Sequence, residues 1–131
     1  MGYRSDVYIA VAFANEKDMK EVIAVYAMNE NVQKHNLLAR WDIKADNILY
    51  FEETNTKWYD GYEEVKGIEH MLDLANDFHS EREMPLAYRA IRIGEETADI
   101  EERYEHGGDD GTLIEMLWDR MNIIRQVEIT L

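Results

Sequence analysis

Near the start of the chain, a continuous run of apolar residues is followed by a segment in which apolar residues have helical spacing. Residues 5–14, SDVYIAVAFA, are almost entirely apolar after Asp6 and predict a buried central strand. Asn15, with Asp18 three residues later, predicts the N-terminal cap of a helix. One face of that helix should be buried, because apolar side chains recur at i, i+3, i+4 and i+7: Met19, Val22, Ile23 and Tyr26.

The middle of the chain predicts two strands followed by a second helix. Residues 40–45 and 48–58 read as strands, and Asp46-Asn47 favours a tight turn between them. The helix should begin at a capping box formed by Asp60 and Glu63. It should end before Pro85, since a residue that precedes proline avoids the helical conformation.

The last third of the chain is harder to assign. Residues 86–93 predict another strand, and residues 99–105 a further one. The segment 107–111 is a loop by composition. Residues 112–121 fit helical spacing but stay ambiguous, and the alternating sequence NIIRQVEITL at 122–131 predicts a last strand.

The predicted order of elements is β-α-β-β-α-β followed by one or two more strands. This order predicts an α+β fold, with a ferredoxin-like antiparallel sheet and two helices on one face. A chain of 131 residues fits a single domain, residues 1–131. The hydrophobic fraction of 46% indicates a folded protein, and the fold by itself implies no function.

The composition of the chain indicates in which cellular compartment the protein resides. The chain contains no cysteine, which excludes disulfides and thiol catalysis. It has no apolar run long enough to span a membrane, and its first residues make a poor signal peptide. We therefore expect a cytoplasmic protein that does not bind membranes.

The net charge of −14 is the most unusual property of the sequence. It opposes direct binding to nucleic acid, because such binding needs lysine and arginine to displace counterions. It favours a partner with a basic surface, for example a protein that itself binds nucleic acid. The simpler interpretation is that the charge only keeps the protein soluble.

No catalytic constellation is present. The only serines, Ser5 and Ser80, lie outside any nucleophile-elbow sequence, and there is no glycine-rich phosphate loop. His70, Asp73 and Asp77 share one helix face and could bind a divalent ion, but a polar helix face with exposed charge is the simpler explanation. We expect a non-enzymatic protein with no metal and no cofactor.

One acidic stretch carries half of the net charge. Between residues 95 and 110 there is one base, Arg103, and a set of acids that we treat as candidate partner-binding residues. These acids are Glu95, Glu96, Asp99, Glu101, Glu102, Glu105, Asp109 and Asp110.

If residues 99–105 form a strand, alternate side chains share a face. Carboxylates two residues apart then lie about 6–7 Å from each other, close to the phosphate spacing of a nucleic-acid strand. Arg103 interrupts this row. The strand should be half-buried, with Ile100 and Tyr104 on the inner face. The alternative interpretation is an edge strand that charge protects against aggregation.

A group of aromatic residues is the second candidate site. Trp58, Tyr59 and Tyr62 lie within five residues at a strand–helix junction, and Trp41 lies on the adjoining strand. They either form the end of the core or line a contact surface or pocket. A pocket for an anionic ligand could also use nearby bases: Lys57, Arg89 or Arg92.

Four segments together resemble a family of small acidic proteins encoded by tailed bacteriophages and prophages. They are MGYRSDV, KWYDGY, YRAIRIGEETADIEE and the GGDD loop, and they span residues 1 to about 110. The family is largely uncharacterised and supplies no functional residues to carry over. The resemblance implies a protein of the host cytoplasm that binds host machinery.

The sequence leaves three hypotheses. The first is a phage accessory protein that binds and inhibits a host protein, of the anti-defence or host-takeover type, through its acidic surface. The second is a small-ligand binder, such as a sponge for a nucleotide signal. The third is a structural homo-oligomer.

Overall fold

The chain folds around one five-stranded antiparallel sheet with helices on both faces. We describe residues 2–108, 111–123 and 127–131 of a computed structural model. The predicted α+β class is confirmed. In chain order the elements are β1 (Ser5–Phe13), α1 (Glu16–Tyr26), α2 (Glu30–Lys34), a 3₁₀ turn (Leu37–Arg40), β2 (Asp42–Lys44), β3 (Ile48–Thr56), α3 (Glu63–Arg82), β4 (Leu86–Gly94), β5 (Ile100–Gly107), α4 (Thr112–Arg120), β6 (Met121–Ile123) and β7 (Val127–Ile129).

Strand β1 is the centre of the sheet. The strand order is β2-β3-β1-β4-β5, and every neighbouring pair is antiparallel. The sheet is antiparallel as predicted, but its fifth strand makes the order different from that of a simple ferredoxin sheet. Strand β5 is one edge and the short β2 is the other.

Two separate hydrophobic cores explain why β1 is apolar at almost every position. Val7, Ile9 and Val11 point toward α1 and α3, which supply Met71 and other apolar residues to the same core. Alternate residues of β1, such as Ala10, point to the opposite face, which α4 covers. A strand buried on both faces has no polar alternation, so a continuous apolar run is expected.

The helix starts were predicted with mixed success. The Asn15 side chain accepts a hydrogen bond from the Asp18 backbone nitrogen at 2.8 Å, which confirms the first cap. The predicted capping box at Asp60 is wrong, since α3 begins at Glu63 with Tyr62 at the cap position. Tyrosine has no short side chain that could reach the first turn, and no side-chain cap forms there.

Two chain reversals agree with the sequence pattern. Asp46 and Asn47 both adopt positive φ, 64° and 58°, as a type I′ hairpin turn requires. Helix α3 ends at Arg82, and Glu83 adopts a left-handed conformation with φ 55° before Pro85. Both outcomes confirm the predicted boundaries.

The C-terminal prediction of one last strand is wrong. Residues 112–120 form α4, and the segment after it forms two short strands, β6 and β7, which pair with each other in a separate sheet. Residues 124–126 lie outside the described residues. Helix α4 packs on the second core together with the partly buried Ile129 and Leu131.

Candidate functional site

The acidic stretch begins in the turn after β4 and continues along the edge strand β5. Glu95 and Glu96 are exposed in the turn. The pairing with β4 puts Glu101, Arg103 and Glu105 on the face that carries α3. Glu102 lies on the α4 face. Two of the candidate acids, Asp109 and Asp110, lie outside the described residues.

Strand β5 is not half-buried as expected. Every residue from Ile100 to His106 is exposed, including Ile100 at 40% and Tyr104 at 54%. Tyr104 packs edge-on against Trp118 of α4, with ring centroids 5.6 Å apart, and both rings remain open to solvent. Strand β5 is exposed because it is an edge strand, with no other described strand beyond it.

Arg92 binds two acids of the stretch, Asp99 and Glu101. Its guanidinium donates to both carboxylate oxygens of Asp99, at 2.7 and 3.2 Å, and to Glu101 at 2.5 and 3.1 Å. It also donates to the buried Ser5 hydroxyl at 3.0 Å. The hydrogen bonds from Arg92 and then from Tyr3 lower the pKa of Asp99, because they stabilise its charged form. Asp99 and Glu101 thus have internal partners.

Arg89 performs a similar role on the opposite face. It is buried, and it donates to Glu102 at 2.5 Å and to the backbone carbonyl of Met121. Arg89 therefore cannot serve the aromatic pocket considered from the sequence, which lies across the sheet. Glu102 balances this buried charge.

The four aromatic candidates differ in how deeply their side chains are buried. Trp41 is buried and packs against Phe51, so it belongs to the core. Trp58 is half-buried beside the same Phe51. Tyr59 and Tyr62 are exposed and meet edge-on, with ring centroids 5.3 Å apart.

Tyr3 joins the acidic stretch to the aromatic segment. Its hydroxyl donates to the Asp99 carboxylate at 2.5 Å and accepts from the Glu96 backbone nitrogen at 3.1 Å. Its own backbone nitrogen donates to the Tyr59 hydroxyl at 2.7 Å. Sequence reasoning missed Tyr3, since 56 residues separate it from Tyr59 and 96 from Asp99.

A cleft of about 590 Å³ opens beside Tyr3 on the α3 face of the sheet. We call it the aromatic–acidic cleft. Its aromatic and charged lining comes from the N-terminal segment, the β3–α3 connection, α3, β4 and β5: Tyr3, Trp58, Tyr59, Asp60, Glu69, Arg92, Asp99, Glu101 and Arg103. The two candidate sites therefore meet in one place.

The charges of this cleft favour a cationic ligand group. Four carboxylates face two guanidinium groups, and Arg92 is already shared by Asp99 and Glu101. Arg103 pairs with Glu69 across the cleft. Asp60 has no ion-pair partner among the described residues. A lysine or arginine side chain entering here would meet aromatic faces and carboxylates together.

A second, smaller cleft of about 400 Å³ lies on the other side of Trp58. We call it the basic cleft. It is lined by Arg4, Arg40, Lys57 and Tyr62 together with two acids, Glu53 and Glu64. Arg40 contacts both of these acids.

The polar face of α3 forms no metal centre in the part of the chain that the structure describes. No three histidine or acidic side chains are grouped there closely enough to hold an ion. His70 instead stacks on Tyr26, with ring centroids 6.2 Å apart. Across the same residues, no helix has both the length and the apolar character needed to cross a membrane.

The comparisons with known proteins give no relative. No protein-family model, curated protein or solved structure matches this chain. The function must therefore be inferred from the geometry of the clefts and from the charge of the surface.

Proposed function

We propose that the protein is a non-enzymatic binding protein that captures a basic segment of another protein. The aromatic–acidic cleft would receive one lysine or arginine side chain of that partner. The observation that carries this proposal is the double contact of Tyr3: its backbone nitrogen holds the Tyr59 hydroxyl and its own hydroxyl holds the Asp99 carboxylate, so both groups are fixed in the lining of one cleft.

The chemistry of the cleft suits a single inserted cation. Trp58 and Tyr59 offer aromatic surface to a guanidinium or ammonium group, an interaction worth about 0.5–2 kcal/mol depending on desolvation. Asp60 and Glu69 supply carboxylates at the cleft wall. Arg103 already pairs with Glu69 from β5, and a partner's arginine would make a contact of the same kind.

The rest of the surface supports the choice of a basic partner. The net charge of −14 attracts basic proteins over long distances and raises the rate of association. Glu95, Glu96 and Glu105 are exposed near the cleft or along β5 and form no ion pair with any described residue. They would contact the rim of the partner, where charge contributes more to association rate and specificity than to affinity.

The resemblance to small acidic phage proteins supports a biological setting. In that setting the protein acts in the host cytoplasm and inhibits a host protein by covering its basic, nucleic-acid-binding surface. Anti-defence and host-takeover roles both fit this mode of action.

The ferredoxin-like assignment of the sheet is also part of the proposal. The order β2-β3-β1-β4 and the packing of α1 and α3 against one face support it. Strand β5 and the α4 layer would then be additions to that core, and β5 carries most of the acidic stretch.

Capture experiments can test the proposal with variants that leave the Arg92 network intact. Trp58→Ala, Asp60→Asn and Glu69→Gln should each weaken binding of an arginine-rich peptide at least tenfold, and added salt should weaken it further. Asp119→Asn removes the same charge from α4 on the opposite face and serves as the matched control. Equal binding by the wild type and all three cleft variants would exclude this cleft as the site.

A small-ligand function is the second candidate, because the basic cleft gathers positive charge in a strongly acidic protein. Arg4 and Lys57 have no acidic partner among the described residues, and Trp58 and Tyr62 could stack on a base. Thermal-shift measurements with cyclic nucleotides test this function. Stabilisation that Lys57→Gln abolishes would support it, and no shift at millimolar ligand would contradict it.

A further inference from the structure

Strand β5 offers an unused hydrogen-bonding edge. The Gly94 nitrogen donates to the Asp99 carbonyl at 2.8 Å, which fixes the alternation of hydrogen bonds between β4 and β5. The main-chain groups of residues 101, 103 and 105 therefore point toward β4, and those of 102, 104 and 106 point away from the sheet. None of these outward groups pairs with another described strand.

We infer that this edge pairs with β5 of a second copy of the chain, about a two-fold axis at Tyr104. Antiparallel self-pairing places residues opposite each other symmetrically about the axis. With the axis at Tyr104, each Arg103 faces Glu105 of the second copy, and each Glu102 faces His106 of the second copy. The outward main-chain groups of 102, 104 and 106 then pair with one another.

The charges on β5 select this register over its neighbours. An axis at Glu101, Glu102 or Glu105 would place two glutamates directly opposite each other. An axis at Arg103 would oppose two arginines, and also Glu101 to Glu105 on both sides. Like charges directly opposite each other destabilise a strand pair, whereas opposite charges stabilise it. Among axes at residues 101–105, only Tyr104 avoids every such clash.

The exposed aromatic residues point to the same register independently. Tyr104 and Trp118 form an edge-on pair on the α4 face, 54% and 41% exposed. An axis at Tyr104 brings the two tyrosines together, so that two tyrosine–tryptophan pairs form one cluster. Cross-strand aromatic pairs are among the stabilising ones, and exposed aromatics of this kind are typical of interfaces.

The dimer would leave both aromatic–acidic clefts accessible. Strands that pair edge to edge continue one sheet, and a two-fold axis perpendicular to that sheet keeps equivalent residues on the same face. The two clefts would thus lie on one face, on either side of the axis. This inference does not depend on the proposed function, since it rests on β5 and not on what the clefts bind.

Sedimentation velocity of the full chain over a range of concentrations tests the inference. We expect a reversible dimer for the wild type. Arg103→Glu and Glu105→Arg should each raise the dimer dissociation constant at least tenfold. In either variant, the two symmetric pairs between positions 103 and 105 would each hold two like charges. The double variant Arg103→Glu/Glu105→Arg should restore the dimer, since it exchanges the two partners.

Further variants separate pairing from folding and from partner capture. Glu69→Gln removes the ion pair between Arg103 and α3 without changing the edge of β5, so this variant should still dimerise. Circular dichroism will show whether each variant is folded. A wild type that stays monomeric, or a double variant that fails to recover the dimer, would overturn the inference. Trp58→Ala should lose peptide capture but keep the dimer, which distinguishes failure of one proposal from failure of the other.

Discussion

The indole nitrogen of Trp41 donates a hydrogen bond to the Tyr26 hydroxyl, 3.1 Å away, and both side chains are buried. The same hydroxyl donates to the Gly67 carbonyl at 2.9 Å. Tyr26 therefore ties α1 to α3 and to the segment before β2.

Replacing Tyr26 with phenylalanine should destabilise the protein by about 1–3 kcal/mol, because the Trp41 nitrogen and the Gly67 carbonyl would both lose a buried partner. Urea denaturation monitored by circular dichroism measures the change. Tyr62→Phe is the control, since Tyr62 is exposed and should change the free energy of unfolding by less than about 0.5 kcal/mol. A loss no larger than that of the control would contradict the role assigned to Tyr26.

Stability should also fall at alkaline pH because of Tyr26. Burial raises the pKa of its hydroxyl from 10.0 to about 12. The folded state holds this proton more tightly than the unfolded state, so the contribution is complete below pH 10 and is lost as pH rises toward 12. Burial also raises the pKa of the Tyr50 hydroxyl.

Urea midpoints measured from neutral pH to about pH 11 should show this decline in the wild type, and a shallower one in Tyr26→Phe. Parallel curves for the two proteins would show that Tyr26 is not responsible.

Gly107 is required at the end of β5 because the His79 ring lies against it. A Cβ atom at position 107 would overlap Cε1 and Nδ1 of His79. Gly107→Ala should therefore cost about 1–3 kcal/mol of stability. Gly61→Ala is the control, since no heavy atom lies within 4 Å of a Cβ there.

A double-mutant cycle identifies the cause of that cost. Shortening His79 to alanine removes the ring, so Gly107→Ala should be nearly neutral in the His79→Ala background. An unchanged penalty in that background would place the strain elsewhere, in the backbone of the turn.

The elements that the sequence predicted well are those with a local cause. The Asn15 cap, the Asp46-Asn47 turn and the stop before Pro85 each depend on a few adjacent residues. The predicted capping box at Asp60 does not form, because the backbone is still extended at Tyr62 and becomes helical only at Glu63. Spacing alone cannot distinguish two starts that differ by two residues.

The candidate site was predictable only as separate pieces. The acidic stretch and the aromatic segment are visible along the chain, but their meeting depends on Tyr3, which no local pattern singles out. The use of Asp99 and Glu101 as partners of Arg92 could not be read from charge counts either. That pairing exists because β4 and β5 set Arg92 opposite Glu101.

The position of β1 at the centre of the sheet has a consequence for synthesis of the chain. This apolar strand is synthesised well before both of its neighbours, since Ser5 pairs with Thr56 on one side and with Gly94 on the other. At roughly 5–20 residues per second, the ribosome needs several seconds to supply the second neighbour. During that interval this apolar segment has no completed sheet to enter, and chaperones that hold nascent chains would protect it.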